Sequence, residues 1–196
     1  LKALQFCGAF IYFGIVLLAK LFLLKTILSA PQIALTVKRL AHQVLENHLG
    51  MEDTVIIGLQ PRGVFLSDRI VQELQAQLTA GKVQYGKLDI TFYRDDVRRQ
   101  LHIANKTDIP FSIENKKVVL IDDVLFTGRT IRAALDALLD FGRPAKVELC
   151  VLIDRRFNRQ LPIQPDYAGR AIDAVVNEKV LVRWKENDEA DYVAIS

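Results

Sequence analysis

The stretch KKVVLIDDVLFTGRT, residues 116–130, limits the possible folds more than any other part of the chain. Its first half is a β-branched apolar run, which suits a strand buried in a sheet. The run ends in two adjacent carboxylates, Asp122 and Asp123, and passes at once into a small, polar, glycine-containing turn. A helical repeat follows, GRTIRAALDALLDFG over residues 128–142, closed by a glycine. Strand, tight turn and helix in that order form the building unit of a parallel α/β sheet.

The same alternation recurs along the chain. In SAPQIALTVKRLAHQVLENHLG, residues Ile33, Val37, Leu40, Ala41, Val44 and Leu45 fall at helical spacing. Ser29 caps that helix, Pro31 sits in its first turn and Gly50 ends it. TVIIGL (Thr54–Leu59) reads as a buried strand, and GVFLSDRIVQELQAQL (Gly63–Leu78) as a helix. GKLDITFYR (Gly86–Arg94) alternates like a strand, and KVVLID (Lys117–Asp122) and AKVELCVLID (Ala145–Asp154) are further strands. AIDAVV, KVLVRW and YVAI are short late strands. The polar segment Val97–Lys116 reads as a long loop, of the kind that is usually functional or disordered. The pattern predicts an α/β fold with a central, mainly parallel sheet, right-handed crossovers and flanking helices. Ligands then bind beyond the carboxyl ends of the strands. Three such ends carry chemistry: LQPRG (Leu59–Gly63), YRDD (Tyr93–Asp96) and DDVLFTGRT (Asp122–Thr130).

A chain of 196 residues, 51% hydrophobic, suits one ordinary domain with a full core. A net charge of +3 permits an anionic ligand or nucleic acid without demanding either. Cys7 and Cys150 lie far apart and without metal-ligand spacing, as in a reduced, cytosolic-type chain. The N-terminus has a different character. ALQFCGAFIYFGIVLLA lies between Lys2 and Lys20, with LFLL before Lys25. It has the length of a membrane span and also fits a signal peptide, with LSA (Leu28–Ala30) as a weak cleavage site. Because all that follows Lys25 looks cytosolic, residues 1–24 are expected to be an extension outside a working domain at 25–196. The expected location is the cytoplasm, with a membrane partner only if that extension acts as an anchor.

Asp122 and Asp123 stand where the strand leaves the sheet. Ionised carboxylates only accept hydrogen bonds, and the vicinal hydroxyls of a ribose offer donors at matching spacing. Thr127, Gly128, Arg129 and Thr130 open the next helix, whose free N–H groups favour an anion. Threonine hydroxyls add donors, and glycine lets backbone approach a ligand closely. One segment therefore provides a diol acceptor and a phosphate cradle, the receptor for a ribose 5-phosphate. A nucleotide-hydrolase strand ending in aspartate is the alternative, but the chain has no G-x-x-x-x-G-K-[ST] loop to serve it. A phospho-acceptor pocket would not need the cradle.

VVLIDDVLFTGRT resembles the phosphoribosyl-pyrophosphate motif of type I phosphoribosyltransferases. LDITFYRDD (Leu88–Asp96), the stretch from Thr107 to Arg156, and LPIQPDYAGR (Leu161–Arg170) are similar to the PyrR family. These are bifunctional pyrimidine-operon attenuation regulators and uracil phosphoribosyltransferases. The resemblance covers about Thr26 to Ser196 and omits the apolar leader. It implies the type I phosphoribosyltransferase fold with a small hood region. The implied ligands are uracil, phosphoribosyl pyrophosphate and UMP or UTP, with Mg²⁺ bound mainly through substrate oxygens and no dedicated metal site. A homodimer or higher homo-oligomer and a pyr leader RNA are the implied macromolecular partners.

The implied catalytic residues are Arg62, Arg94, Asp122 and Asp123. Pro61, Arg62 and Gly63, with Asp122, Asp123, Val124, Leu125, Phe126, Thr127, Gly128, Arg129 and Thr130, are implied to bind phosphoribosyl pyrophosphate. Arg62 suits the pyrophosphate because its guanidinium is a forked donor. The Gln60–Pro61 bond is expected to be cis, since proline lowers the cost of that isomer. Arg94 opens a loop expected to close over the substrate, and Asp89 is expected to order its strand or orient a neighbour. The pyrimidine is expected near Val124 and the segment after Asp154. His42, His48 and His102 are expected to have surface or packing roles. For RNA, the family pattern D-R-G-H-R-E-L-P-I-R becomes DRRFNRQLPIQ here, one residue longer, without the glycine and histidine, and with Gln164 in place of arginine. Arg155, Arg156, Arg159 and Arg170 remain as RNA-binding candidates. Two other readings stay open: a regulator that keeps the pocket as a uridine-nucleotide sensor, and a phosphoribosyltransferase for another base.

Overall fold

The structure, a computed structural model, describes residues 24–79, 81–93, 106–173 and 178–196. The apolar leader and Arg94 lie outside these residues.

Five strands form a wholly parallel sheet in the order β3-β2-β4-β5-β6. They are β2 (Thr54–Leu59), β3 (Gln84–Leu88), β4 (Lys117–Leu125), β5 (Lys146–Arg155) and β6 (Tyr167–Ile172). Val55, Val118 and Val147 stand in register across the three central strands. Helices α1 (Ala30–Asn47) and α2 (Gly63–Gln77) cover one face, and α3 (Arg129–Leu138) covers the other. β4 is apolar on both faces because both are covered. Val119 and Ile121 join Ile33, Leu40, Leu66 and Ile70 in one core, while Val118 and Leu120 join Ile131, Ala134 and Leu138 in the other.

A second, antiparallel sheet has the order β1-β8-β7, from β1 (Lys25–Ser29), β8 (Tyr192–Ile195) and β7 (Val180–Arg183). This is the hood. Arg69 of α2 clamps it, donating Nη2 to Asp191 Oδ1 at 2.8 Å and to Glu186 Oε2 at 2.9 Å. The same guanidinium lies 4.7 Å over the ring of the fully buried Trp184.

Several expectations need correction. The alternating Gly86–Arg94 segment is a strand only to Leu88. Asp89 Oδ1 accepts hydrogen bonds from the Thr91 N–H at 2.8 Å and the Thr91 hydroxyl at 2.6 Å, which turns Thr91–Tyr93 into a 3-10 segment. β4 continues three residues beyond Asp122, and β5 one beyond Asp154. The helix from residue 129 is α-helical to Leu138 and tightens to a 3-10 turn over Leu139–Phe141, before Gly142 at φ +133°. AIDAVV divides: β6 ends at Ile172, and residues 174–177 lie outside the described set. β1 precedes the first helix and was not expected. Ser29 is the N-cap of α1, its N–H donating to Gln32 Oε1 at 2.8 Å.

Candidate active site

The chain order places a switch point between β2 and β4, because β3 lies on one side of β2 and β4 on the other. Such a point opens a crevice at the carboxyl ends of the strands. Gln60, Pro61 and Arg62 leave β2 there, and the Gln60–Pro61 bond is cis. Gly63 opens α2 directly against β4. A Cβ at Gly63 would lie 2.7 Å from the Ile121 carbonyl oxygen and 2.9 Å from Asp122 Cα, so only glycine allows this approach.

Asp122 and Asp123 are both buried at the end of β4. The strand's two-sided alternation slips here. Beyond the carboxylates Val124 packs toward the α1–α2 core and Leu125 enters the α3 core. The two aspartates consequently serve different spaces. Asp122 lines a cavity of about 380 Å³ with Val124 to Ile131 and Gln160. Asp123 lines a neighbouring cavity of about 370 Å³ with Arg62, Val124 and the hood residues Val180–Arg183. The Asp123 N–H donates to Asp122 Oδ1 at 2.9 Å.

Arg62 sits in the second cavity. Its Nε donates to Asp123 Oδ2 at 3.3 Å, its Nη2 donates to the Val182 carbonyl, and Asp188 Oδ2 lies 3.8 Å away. Burial pushes the Asp123 carboxyl above the usual range, and the Arg62 guanidinium works against that rise. Arg62 thus ties β2, β4 and the hood together.

In the first cavity the turn Phe126–Gly128 leads into α3. Gly128 is the N-cap at φ +92°, a conformation that favours glycine. The first N–H groups of α3 have no partner within the helix and suit an anion. Among them, the Arg129 N–H lies 3.4 Å from Thr127 Oγ1. The chain after β5 lies against the other side of this turn. The Gln160 and Leu161 N–H groups donate to the Thr127 carbonyl at 3.0 and 3.2 Å, and Arg129 Nε donates to Gln160 Oε1 at 2.9 Å.

Of the expected residues, Arg62, Asp122, Asp123 and Val124 to Thr130 therefore line two neighbouring cavities, Gly63 packs against Asp122, and Pro61 lies in the turn that leads to Arg62. Leu125 is chiefly a core residue. Two of the four RNA candidates are held within the fold. Arg155 is buried under the Phe126 ring, its guanidinium 4.1 Å from the ring centre, and donates to the Glu178 carbonyl at 2.9 Å. Arg159 donates to the Phe126 carbonyl at 2.6 Å and to Asp154. Arg156 and Arg170 are exposed, the first paired with Asp173 and the second donating to the Ile27 carbonyl at 3.0 Å. Gln160 lies in the segment after Asp154 that was expected near the ligand, whereas Val180–Arg183 were not anticipated, because a distant segment brings them to the crevice. Among the described residues no group of three or more His, Cys, Asp or Glu side chains is arranged to hold a metal ion.

A family model described as "Phosphoribosyl transferase domain" matches residues 24–187. A hypoxanthine-guanine phosphoribosyltransferase from Bacillus anthracis superposes with a TM-score of 0.66 at 19% identity, covering 87% of this chain and 97% of that one. A Trypanosoma cruzi hypoxanthine phosphoribosyltransferase gives 0.68 at 18% identity, covering 88% and 95%. Fold and crevice thus define a phosphoribosyltransferase of the type I fold. A Chloroflexus aurantiacus protein named "Bifunctional protein PyrR" is 47% identical over 173 residues, 87% of this chain and 94% of the relative. Proteins of that name from Enterococcus faecalis and Deinococcus radiodurans are 43% and 44% identical, over 88% and 87% of this chain and 96% and 93% of their own lengths. The chain belongs to the PyrR family.

Proposed function

We propose that the chain makes UMP and pyrophosphate from uracil and phosphoribosyl pyrophosphate, and that it also serves as a pyrimidine-operon regulator. The observation that carries the enzymatic reading is the pairing of two buried carboxylates with the Thr127–Thr130 cradle at a sheet switch point. Uracil N1 bonds to C1 of the ribose and loses its proton, while the C1–O bond breaks and pyrophosphate leaves with the electron pair. Charge builds as a ribosyl cation and a pyrophosphate anion, so fixed charges and positioning supply the catalysis. Asp122 accepts from the ribose hydroxyls, and the α3 N-terminus with Thr127 and Thr130 holds the 5-phosphate. Asp123, on the hood side, faces the cation and the base. Arg62 turns from Asp123 toward the pyrophosphate, with Arg94 as the second cation for that group. The hood edge Val180–Val182 forms one wall of the base pocket, beside Val124.

Two buried carboxylates lining neighbouring cavities fit a hard cation held mainly by the substrate. Mg²⁺ would sit near Asp122 and Asp123 and offset pyrophosphate charge. The proposed working domain is 25–196, a reading that the family match over residues 24–187 supports. The proposed location is the cytoplasm, and the proposed assembly is a homodimer or larger homo-oligomer. Among the described residues no helix is long and apolar enough to cross a membrane.

RNA contact falls to Arg156 and Arg170, since Arg155 and Arg159 are held within the fold. The test is UMP formation by the full chain and by residues 25–196, with hypoxanthine, guanine and orotate alongside, and a salt-titrated gel shift with pyr leader RNA. Uracil turnover in both lengths supports the reading. UMP binding and RNA binding without turnover favours the nucleotide-sensing regulator, and turnover of another base replaces the substrate.

A further inference from the structure

The turn Phe126–Arg129 has its carbonyl side covered by a strap of chain, residues 159–163. Arg159 Nη1 donates to the Phe126 carbonyl at 2.6 Å. Its Nη2 is paired with Asp154, at the end of β5. The next carbonyl, that of Thr127, accepts from the Gln160 and Leu161 N–H groups. Leu161 and Ile163 pack on Gly128, so closely that a Cβ there would lie 3.3 Å from each. The strap therefore takes up the successive carbonyls of Phe126 and Thr127. With those carbonyls engaged by the strap, the N–H groups of α3 that follow Arg129 in the first turn are left for an anion.

We propose that the strap, through Arg159, is the positioning element of the 5-phosphate cradle. This rests on the functional reading above only in the identity of the ligand. Arg159 touches no substrate; it acts by holding the Phe126 carbonyl turned back. A fork is needed because two acceptors, Phe126 O and Asp154 Oδ1, lie on separate elements. Lysine, a point charge, keeps the neighbour for Asp154 without bridging both. The arginine that charge alone would assign to RNA thus belongs to the nucleotide site.

The test measures ribose 5-phosphate and pyrophosphate binding by calorimetry for the full chain, R159Q and R159K, with steady-state kinetics on uracil. Loss of the positioned turn weakens ribose 5-phosphate binding by roughly tenfold in both variants and leaves pyrophosphate binding unchanged. The KM for phosphoribosyl pyrophosphate rises by a similar factor, and kcat moves less than about twofold. Should R159Q fail to fold, R159K carries the same test. Ribose 5-phosphate affinity equal to the unsubstituted chain in a folded variant overturns the proposal, as does an equal fall for pyrophosphate. An unsubstituted chain that binds ribose 5-phosphate but never converts uracil overturns the functional reading alone.

Discussion

Asp122 and Asp123 are joined by a hydrogen bond from the Asp123 N–H to Asp122 Oδ1, 2.9 Å long, yet they line different cavities. Asp122 belongs with the phosphate turn, and Asp123 with Arg62 and the hood. Their isosteric amides should therefore fail differently. D122N is expected to raise the KM for phosphoribosyl pyrophosphate, because an amide presents a donor where the ribose hydroxyls need an acceptor. D123N is expected to lower kcat, because a charge facing the ribosyl cation is lost. A fall of about 100-fold in kcat/KM is expected for each. Steady-state kinetics against both substrates separates the two, and a normal KM in D122N would remove the diol role.

Arg62 has two tasks to lose. R62K keeps a positive charge but not the fork that spans Asp123 and the Val182 carbonyl. Product inhibition by pyrophosphate should weaken by about tenfold or more. Hydrogen exchange in β7 should also quicken, since the guanidinium is one of the ties between the hood edge and β4. Unchanged exchange with weakened pyrophosphate inhibition would leave Arg62 a ligand without a structural role.

Gly63 tests the crevice from behind. G63A places a methyl group 2.7 Å from the Ile121 carbonyl oxygen, where backbone on both sides must move. A destabilisation of about 1–3 kcal/mol is expected in urea unfolding. Asp122 should shift with the displaced strand, so activity should fall further than stability alone explains. Full stability in G63A would show that α2 can back away from β4.

At the opposite end of the sheet, Glu148 is buried with His48 and Tyr167, and the exposed Lys146 reaches it from the surface. The Glu148 Oε2 lies 2.7 Å from His48 Nε2 and accepts from the Tyr167 hydroxyl at 2.7 Å, and Oε1 accepts from Lys146 Nζ at 2.6 Å. Burial would raise this carboxyl, but the bonds from Lys146, Tyr167 and His48 outweigh it and hold it at about 2. A depressed carboxyl stabilises the fold at pH above its unfolded value of about 4.3, and the contribution disappears as pH falls toward the folded value. E148Q should be less stable at neutral pH, with the gap to the unsubstituted protein closing between about pH 5 and pH 2. Urea midpoints across that range measure it; a gap independent of pH would mean that the carboxylate charge contributes nothing.

Much of this was legible because the chemistry is local. The strand, carboxylates, turn and helix of residues 117–138 are contiguous, so their period and glycine placement located the crevice. β3 was misplaced because the alternation of Ile90, Phe92 and their neighbours continues past the point where Asp89 bends the backbone. β1 gave no signal, since its pairing with β8 joins the two ends of the described chain. Arg155 and Arg159 read as surface charge because nothing in their neighbourhood announces the Phe126 ring and carbonyl that hold them. The wall beside Asp123 was invisible for the same reason: Val180–Arg183 meet Asp123 only through tertiary packing.

The hood also sets an order of events. β8 is the middle strand of the three, and β7 pairs only with it in that sheet. The parallel sheet and the turn Phe126–Gly128 come earlier in the chain than β8, the strand that holds the Val180–Arg183 wall in place. Until residues 192–195 are paired, the cavity beside Thr127–Thr130 has all its lining residues in place while the cavity beside Asp123 lacks the strand that holds its Val180–Arg183 wall.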